Sequence, residues 1–223
     1  YIGSQETSRK LPLLNATEYA LLLNESYANA GNALPFPNVA GLGKGTDWQD
    51  EVFDTGVPIV SHDLSASGGS DKVTYTISGS HLDQGGIIGG YKSNFLRNTA
   101  RLNLNADLTD KLRAKANVMY LYTSSRTFNE NALGSVLFNA INTPSIFKPY
   151  DQNGNYTVLP SGDVNTPGSN IGFEIINPLE QIANTFNTYN LKRLSGSFAL
   201  EYDVIKDLTV TGRIGFETSN SCL

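Results

Sequence analysis

The sequence predicts an all-β protein of long antiparallel hairpins, each with one apolar and one polar face. Apolar and polar side chains alternate along two arms between residues 101 and 122, on either side of a short turn at 109–111, and a period of two indicates β-strands. Each arm has about ten residues, the length of a tilted strand that crosses a bilayer. Long and short connections also alternate along the chain. In an up-and-down sheet, this alternation sorts them to opposite ends, as in outer-membrane barrels.

These observations favour the wall of a transmembrane β-barrel, with lipid against the apolar face. A soluble sheet remains the alternative, because its core could cover the same face. The non-apolar positions carry Arg97, Arg101, Arg113 and Lys115, which we take as candidates for lining a wet lumen. In a soluble sheet the same side chains would face water.

Composition excludes several other classes of protein. Only 17% of the 223 residues are charged and 21 are glycine, which suits a β-rich chain with many turns. The net charge of −5 provides no basic surface, so we expect no nucleic-acid partner. The single cysteine, Cys222, excludes an internal disulfide framework. No apolar run approaches the roughly 18 residues of a transmembrane helix.

The alternation predicts seven strands and three long loops. The chain starts and ends within a pattern, which predicts a fragment of a longer protein. The predicted strands cover approximately residues 1–6, 59–67, 72–82, 94–107, 112–124, 188–203 and 208–218, and the loops cover 7–58, 83–93 and 125–187.

Two helices are predicted inside the long loops. The first runs from Asn15 to Ala30, with Asn15 as its cap and Glu18 as the return partner of a capping box. Its predicted apolar stripe consists of Tyr19, Leu22, Leu23 and Tyr27. The second is short and covers residues 131–142, ending before a proline.

The third long loop also holds the candidate ligand-binding residues. Phe147, Tyr150 and Tyr156 lie among Asn, Asp and Gln side chains. Aromatic rings beside amides and carboxylates suit a sugar or peptide ligand. The alternative is that these rings pack the loop onto the rim of the sheet.

Few residues suggest covalent or metal chemistry, and we expect no cofactor and no metal. Asp54 begins an Asp-Thr-Gly triplet, but aspartic-protease chemistry needs two such carboxylates and there is no second triplet. His62 and His81 lack partners at metal-ligand spacing. Asp151 begins a segment similar to a Ca²⁺ loop, yet position 162 is glycine rather than glutamate, so we expect a tight turn. Loop acids that could add oxygen ligands for calcium are Glu130, Asp163 and Glu174.

Several segments in register resemble the SusC/RagA-type TonB-dependent transporters of Bacteroidota. They are residues 11–20 (LPLLNATEYA), 46–53 (TDWQDEVF), 64–70 (LSASGGS), 81–88 (HLDQGGII) and 97–104 (RNTARLNL). Together they place roughly residues 1–217 in the early barrel of that family. Asp54 is a departure, since the family often has a basic residue there.

The resemblance implies a piece of a 22-strand outer-membrane barrel that follows a plug domain. It implies import of an oligosaccharide or peptide without covalent catalysis, under a SusD-like lipoprotein lid, with energy delivered through TonB to the plug. It also implies contact with outer-membrane lipid and a dimer of transporter–lipoprotein pairs. The residues themselves leave two other classes of protein open. One is a soluble or surface-attached glycan-binding β-domain, and the other is an aspartic-protease-like hydrolase that uses Asp54.

Overall fold

The computed structural model describes residues 1–129, 132–159 and 175–222. Its centre is a seven-stranded antiparallel sheet in which the strands follow one another in chain order, so the predicted all-β class is confirmed. The strands are β1 (Ile2–Gln5), β2 (Val57–Gly69), β3 (Val73–Gly85), β4 (Asn94–Thr109), β5 (Leu112–Arg126), β6 (Thr188–Ile205) and β7 (Leu208–Cys222). Outside the sheet lie α1 (Ala16–Asn29), α2 (Trp48–Val52), α3 (Val136–Asn142), α4 (Pro178–Asn184) and a short 3-10 helix (Gly90–Lys92).

The connections are sorted to the two ends of the sheet. The turns at 70–72, 110–111 and 206–207 lie at one end, which we call the turn end. The described parts of the connections at 6–56, 86–93 and 127–187 lie at the opposite end, which we call the loop end. The sorting that the sequence predicted is therefore present.

Strands β2, β3 and β5 extend two or three residues further towards the loop end than the alternation predicted, to Val57, Gly85 and Arg126, whereas β4 begins at Asn94, the predicted position. In β2 and β3, pairing continues to Ile59 with Gln84, and in β4 and β5 it continues to Asn94 with Arg126. Polar side chains dominate these last rows, so hydrophobic periodicity fades there although backbone pairing does not. The strands are thus longer than the segments whose alternation indicates them.

Strand register gives the sheet two chemically distinct faces. Directly paired residues lie on the same face of a sheet, and pairing joins apolar positions to one another along the rows. The apolar face carries Leu64, Ala66, Tyr75, Ile77, Leu102, Leu104, Val118, Tyr120, Phe198, Leu200, Ile214 and Phe216. The polar face carries Arg97, Arg101, Asn103, Asn105, Arg113, Lys115, Asn117, Glu201, Arg213 and Glu217.

The hydrophobic core lies among the loops rather than under the sheet. Three loops contribute to it, and we call this cluster the loop core. Its members are Trp48, Val52, Ile88, Phe128, Val136, Ala140, Leu159 and Ile175. Most large side chains of the apolar face are exposed, so the sheet buries little of its own apolar surface within the described residues.

Helix α1 begins as predicted but buries a different face. Asn15 caps it, and the reciprocal contact with Glu18 completes the capping box. The buried positions are Ala16, Ala20 and Asn24, whereas Leu22, from the predicted apolar stripe, is 57% exposed. At its start α1 lies against the 43–46 segment, whose carbonyls accept from the amides of Ala16 and Thr17, and further along Asn24 makes two hydrogen bonds to the Phe36 backbone.

The second predicted helix is shorter than expected. Helix α3 starts at Val136, because the Ser135 side chain accepts a hydrogen bond from the Phe138 amide and caps it. Leu133, which the pattern placed on the apolar side of this helix, precedes it and is exposed. Residue 131, the predicted start, is outside the described residues. Within the described residues, no helix has the length and hydropathy needed to cross a membrane.

Candidate functional site

The three long connections form one body at the loop end. The Trp48 indole, 1% exposed, donates from Nε1 to the Pro144 carbonyl oxygen at 3.3 Å. The Thr46 amide donates to the Ser145 carbonyl oxygen at 2.8 Å, and the Ser145 hydroxyl donates to the Leu14 carbonyl oxygen at 2.7 Å. These bonds join the first and third loops across about 100 residues of sequence, so the loop end presents a defined surface.

Asp54 connects the first loop to the second. Its carboxylate accepts a hydrogen bond from the Gly90 amide at 2.6 Å, and its own amide donates to the Ile87 carbonyl oxygen at 2.8 Å. The Gly90 backbone has φ of +56°, a conformation that favours glycine. Asp54, the first residue of the Asp-Thr-Gly triplet, therefore holds the first loop against the second.

Lys92 forms another connection between the loops. Its ammonium donates to the carbonyl oxygens of Ala183 and Thr185 at 3.1 and 3.4 Å and lies 3.4 Å from the centre of the Phe186 ring. A cation is favourable at the C-terminus of a helix, where carbonyl groups are unpaired. Lys92 thus attaches the end of α4 to the second loop.

Tyr150 and Tyr156 are brought together at the tip of a small hairpin. The two residues form an isolated antiparallel bridge, and their ring centres are 5.3 Å apart at 34°. Tyr150 is 47% exposed. Partial burial, and secondarily the neighbouring Tyr156, hold the pKa of Tyr150 above its usual range. The two rings thus offer aromatic surface beside hydroxyl groups.

Phe147, the third predicted ligand-binding residue, has a different environment. It packs against the loop core and is partly buried. The structure therefore brings together two of the three predicted aromatic residues and places the third in the support beneath them. Of the loop acids considered as calcium ligands, Glu130, Asp163 and Glu174 lie outside the described residues.

Asp151 forms the turn between the two tyrosines. Its Oδ1 accepts hydrogen bonds from the amides of Asn153 and Asn155, both at 2.8 Å, and Gly154 has φ of +83°. The Asn155 amide, as the main cause, lowers the pKa of Asp151 below its usual range. The tight turn expected here is confirmed, and the carboxylate is occupied by backbone donors.

The hairpin should lose stability in acid because of Asp151. A carboxyl whose pKa is lowered on folding contributes stability above its unfolded pKa, and this contribution disappears as pH falls through the folded pKa. We expect hydrogen exchange of residues 151–157, corrected for intrinsic rates, to accelerate as the pH falls below 4 (about the usual pKa of aspartate). Asp151→Asn should exchange faster at pH 7 and lack this acid response. An acid response unchanged in that variant would contradict the assignment.

Asn177, which the sequence analysis did not select, holds this hairpin in place. Its Nδ2 donates to the carbonyl oxygens of Pro149 and Thr157 at 2.8 and 3.2 Å, one on each arm. Its Oδ1 accepts from the Leu179 amide at 3.1 Å and caps α4. The Asn-Pro dipeptide followed by Glu180 is a helix-start signal that could have located α4.

The predicted cationic residues all lie on the polar face. Lys115 pairs with Glu201 at 2.7 Å, and Arg113 pairs with Asp203 at 3.0 Å. Both pairs are near the turn end. Nearer the loop end, Arg97 and Arg101 line a depression of about 320 Å³. The four residues thus divide into two ion-paired cations and two that border an open depression.

Metal binding has no geometric support in the described ranges 1–129, 132–159 and 175–222. They contain no cluster of three or more His, Cys, Asp and Glu side chains suited to holding an ion. His62 and His81 form a pair on the apolar face, with ring centres 6.4 Å apart.

Comparison with known proteins places these features in a family. No family model matches the chain. Two TonB-dependent receptors of Formosa agariphila match 97% and 91% of the chain at 27% and 30% identity. The TonB-dependent receptor SusC of Bacteroides thetaiotaomicron matches 56% of it at 32% identity. This chain is a SusC/RagA-like segment of a TonB-dependent transporter. The resemblance seen in the sequence is confirmed.

Solved structures show the same fold for this SusC/RagA-like segment. The RagAB peptide importer in its "open-open" state covers 99% of the segment at 21% identity, with a TM-score of 0.74. The "closed-closed" state covers the same share at 22% identity, with a TM-score of 0.70.

The SusC/RagA-like segment is a minor part of the proteins it matches. It spans 20% and 19% of the two Formosa receptors and 27% of the RagAB chain. These proteins are named as receptors and importers, in agreement with the expectation that the chain is not an enzyme.

Proposed function

We propose that residues 1–223 form part of the wall and the external loops of an outer-membrane importer energised through TonB. The cargo is a peptide or an oligosaccharide. The observation that carries this proposal is the two-faced sheet with every long connection at one end, in a chain related to TonB-dependent receptors over 97% of its length.

The dimensions of the apolar face support a membrane position. On β6 it runs from Leu194 to Tyr202, which corresponds to about 26 Å along the strand and roughly 20 Å of depth at a 40° tilt. Tyr120 lies at its loop end and Tyr202 at its turn end. The depth is somewhat less than the apolar band of outer-membrane barrels, which is about 25 Å tall, and the flanking tyrosines correspond to the aromatic girdles of that band. The turn end then faces the periplasm and the loop end the cell exterior.

The polar face would line the lumen. Arg97 and Arg101 border a depression and have no acidic partner among the ion pairs of the described residues, so they are available to a polar cargo. Arg113 and Lys115 are neutralised by Asp203 and Glu201. We therefore assign cargo guidance to the first two and wall stability to the second two.

The loop end would receive cargo and the lid. Tyr150 and Tyr156 supply an aromatic platform, and the loop core makes the surrounding surface rigid. A SusD-like lipoprotein is the proposed partner, because SusC and the RagAB importer are among the similar proteins. We also propose an assembly of two transporter–lipoprotein pairs, as the resemblance in the sequence implies.

Uptake by the full-length protein tests this proposal. Labelled oligopeptides and oligosaccharides would be supplied to cells that carry the gene, with and without TonB. We expect uptake of one class only, and only when TonB is present. Uptake without TonB, or recovery of the protein in the soluble fraction, would contradict the proposal; the second result would favour the glycan-binding alternative.

The tyrosine platform has its own test. Tyr150→Ala combined with Tyr156→Ala should lower cargo affinity about tenfold or more, since each aromatic contact contributes about 0.5–1.5 kcal/mol beyond its buried area. Tyr202→Ala is a matched control, because Tyr202 is also 47% exposed but lies at the turn end. Equal effects of the two changes would show that Tyr150 and Tyr156 do not contact cargo.

A further inference from the structure

The apolar face contains a hollow that neither the loops nor the polar face uses. It has a volume of about 360 Å³ and lies at the loop end of the face. Gly79 and Ala100 form its floor, and Leu64 and Tyr120 stand on either side. Register places these four residues in one row across β2, β3, β4 and β5. Two small residues between two large ones thus leave a gap about two strands wide.

Packing around Gly79 does not require a residue as small as glycine. A methyl group added at Gly79 would meet nothing nearer than the Thr99 carbonyl oxygen at 3.8 Å. Gly79 lies in the middle of a regular strand, where a side chain would normally be favoured. The hollow is therefore open space on the apolar side of the sheet, and a β-carbon added at Gly79 would enter it without a clash.

Polar groups border the hollow on the side of the loops. His62, His81 and Asn98 occupy the next row and also line it. The two imidazole rings are nearly parallel, with an angle of 16° and ring centres 6.4 Å apart. Nδ1 of His81 lies 2.7 Å from Oδ1 of Asn98. The Asn98 carbonyl fits a protonated Nδ1 and leaves Nε2 of His81 for a ligand.

The other charged groups on this part of the apolar face do not prevent an anion from binding at the two histidines. Asp83, two residues beyond His81, accepts a hydrogen bond from the Asn94 amide group at 2.7 Å. Lys192 lies in the same row as the histidines, beyond Tyr122. In an imidazolium ring every nitrogen donates a hydrogen bond, which suits an anionic ligand. The site thus joins an apolar hollow to donors suited to phosphate.

We propose that this hollow and the His62–His81 pair bind a phosphorylated glycolipid of the outer leaflet, with an acyl chain over Gly79 and Ala100 and a phosphate at the histidines. The inference rests on the proposed membrane position, in which the loop end faces outwards. Because the apolar hollow lies next to the polar row, the site fits an amphiphilic ligand better than free phosphate. Asn98 adds an amide that can bond a sugar hydroxyl.

Binding of bis-phosphorylated lipid A to the full-length transporter in nanodiscs tests the inference. His62→Phe combined with His81→Phe keeps an aromatic ring at each position but removes the donors, and Gly79→Leu fills the hollow. We expect each to weaken binding at least tenfold. Gly212→Leu is the matched control: Gly212 is also on the apolar face and has no atom within 4 Å of an added methyl group, but it lies far from the hollow.

Three results would overturn the inference. They are wild-type lipid A binding in both test variants, equal loss in the Gly212→Leu control, and equal affinity for phosphatidylglycerol or dephosphorylated lipid A. Cargo uptake measured on the same variants separates this inference from the proposed function. Intact uptake with unchanged lipid binding would refute the lipid site alone, whereas a protein that never enters the outer membrane would refute the importer itself.

Discussion

Trp48→Ala is expected to unfold the loop core while leaving the sheet intact. The indole is 1% exposed at the centre of the cluster that joins the three loops. Removing a buried tryptophan costs about 3–5 kcal/mol, from lost transfer free energy and from the cavity that remains. It also leaves the Pro144 carbonyl without its indole donor. The sheet does not depend on this contact, because its strands are held by their own backbone pairing.

Hydrogen exchange on the full-length protein measures this effect. Exchange in α2, α3 and α4 should accelerate about 100-fold or more, since each 1.4 kcal/mol corresponds to a factor of ten, while β3 to β6 stay protected. Trp48→Phe keeps most of the apolar volume and should give a much smaller change. If exchange in the three helices were unaltered by Trp48→Ala, the loop core could not be the element that orders the loop end.

Asn177→Ala is expected to release the tyrosine hairpin from α4. The substitution removes a helix cap, which contributes about 0.5–2 kcal/mol, and leaves the Pro149 and Thr157 carbonyls without a buried partner. Each unsatisfied group adds about 1–3 kcal/mol. We expect a local destabilisation of about 2.5 kcal/mol or more. Because Tyr150 and Tyr156 lie between the two carbonyls, cargo affinity should fall with it.

Two control variants distinguish the contributions of this side chain. Asn177→Asp keeps the oxygen that caps α4 but loses the Nδ2 donor, so the hairpin should loosen while the helix remains. Asn184→Ala changes an exposed asparagine at the other end of the same helix and should leave exchange and cargo affinity unchanged. A hairpin as well protected in Asn177→Ala as in the wild type would refute the bridging role.

The sequence by itself determined the sheet. Alternation with a period of two depends only on which side chains neighbour each other along one strand, so residues 101–122 already specify a hairpin, its two faces and its turn. The order of long and short connections then specified which end each loop occupies. The caps at Asn15 and the turn at Asp151 are also local, because each side chain bonds backbone within four residues.

Only the tertiary structure decided which distant segments contact each other. Trp48 and Pro144 are 96 residues apart, and Asn177 joins two carbonyls 28 and 20 residues away; no local pattern encodes such contacts. The side of α1 that is buried followed from contacts with the 43–46 and Phe36 backbone rather than from hydrophobicity. The hollow beside Gly79 arose because register aligned a glycine and an alanine from neighbouring strands. Single-strand patterns do not contain register, so its consequences had to be read from the paired sheet.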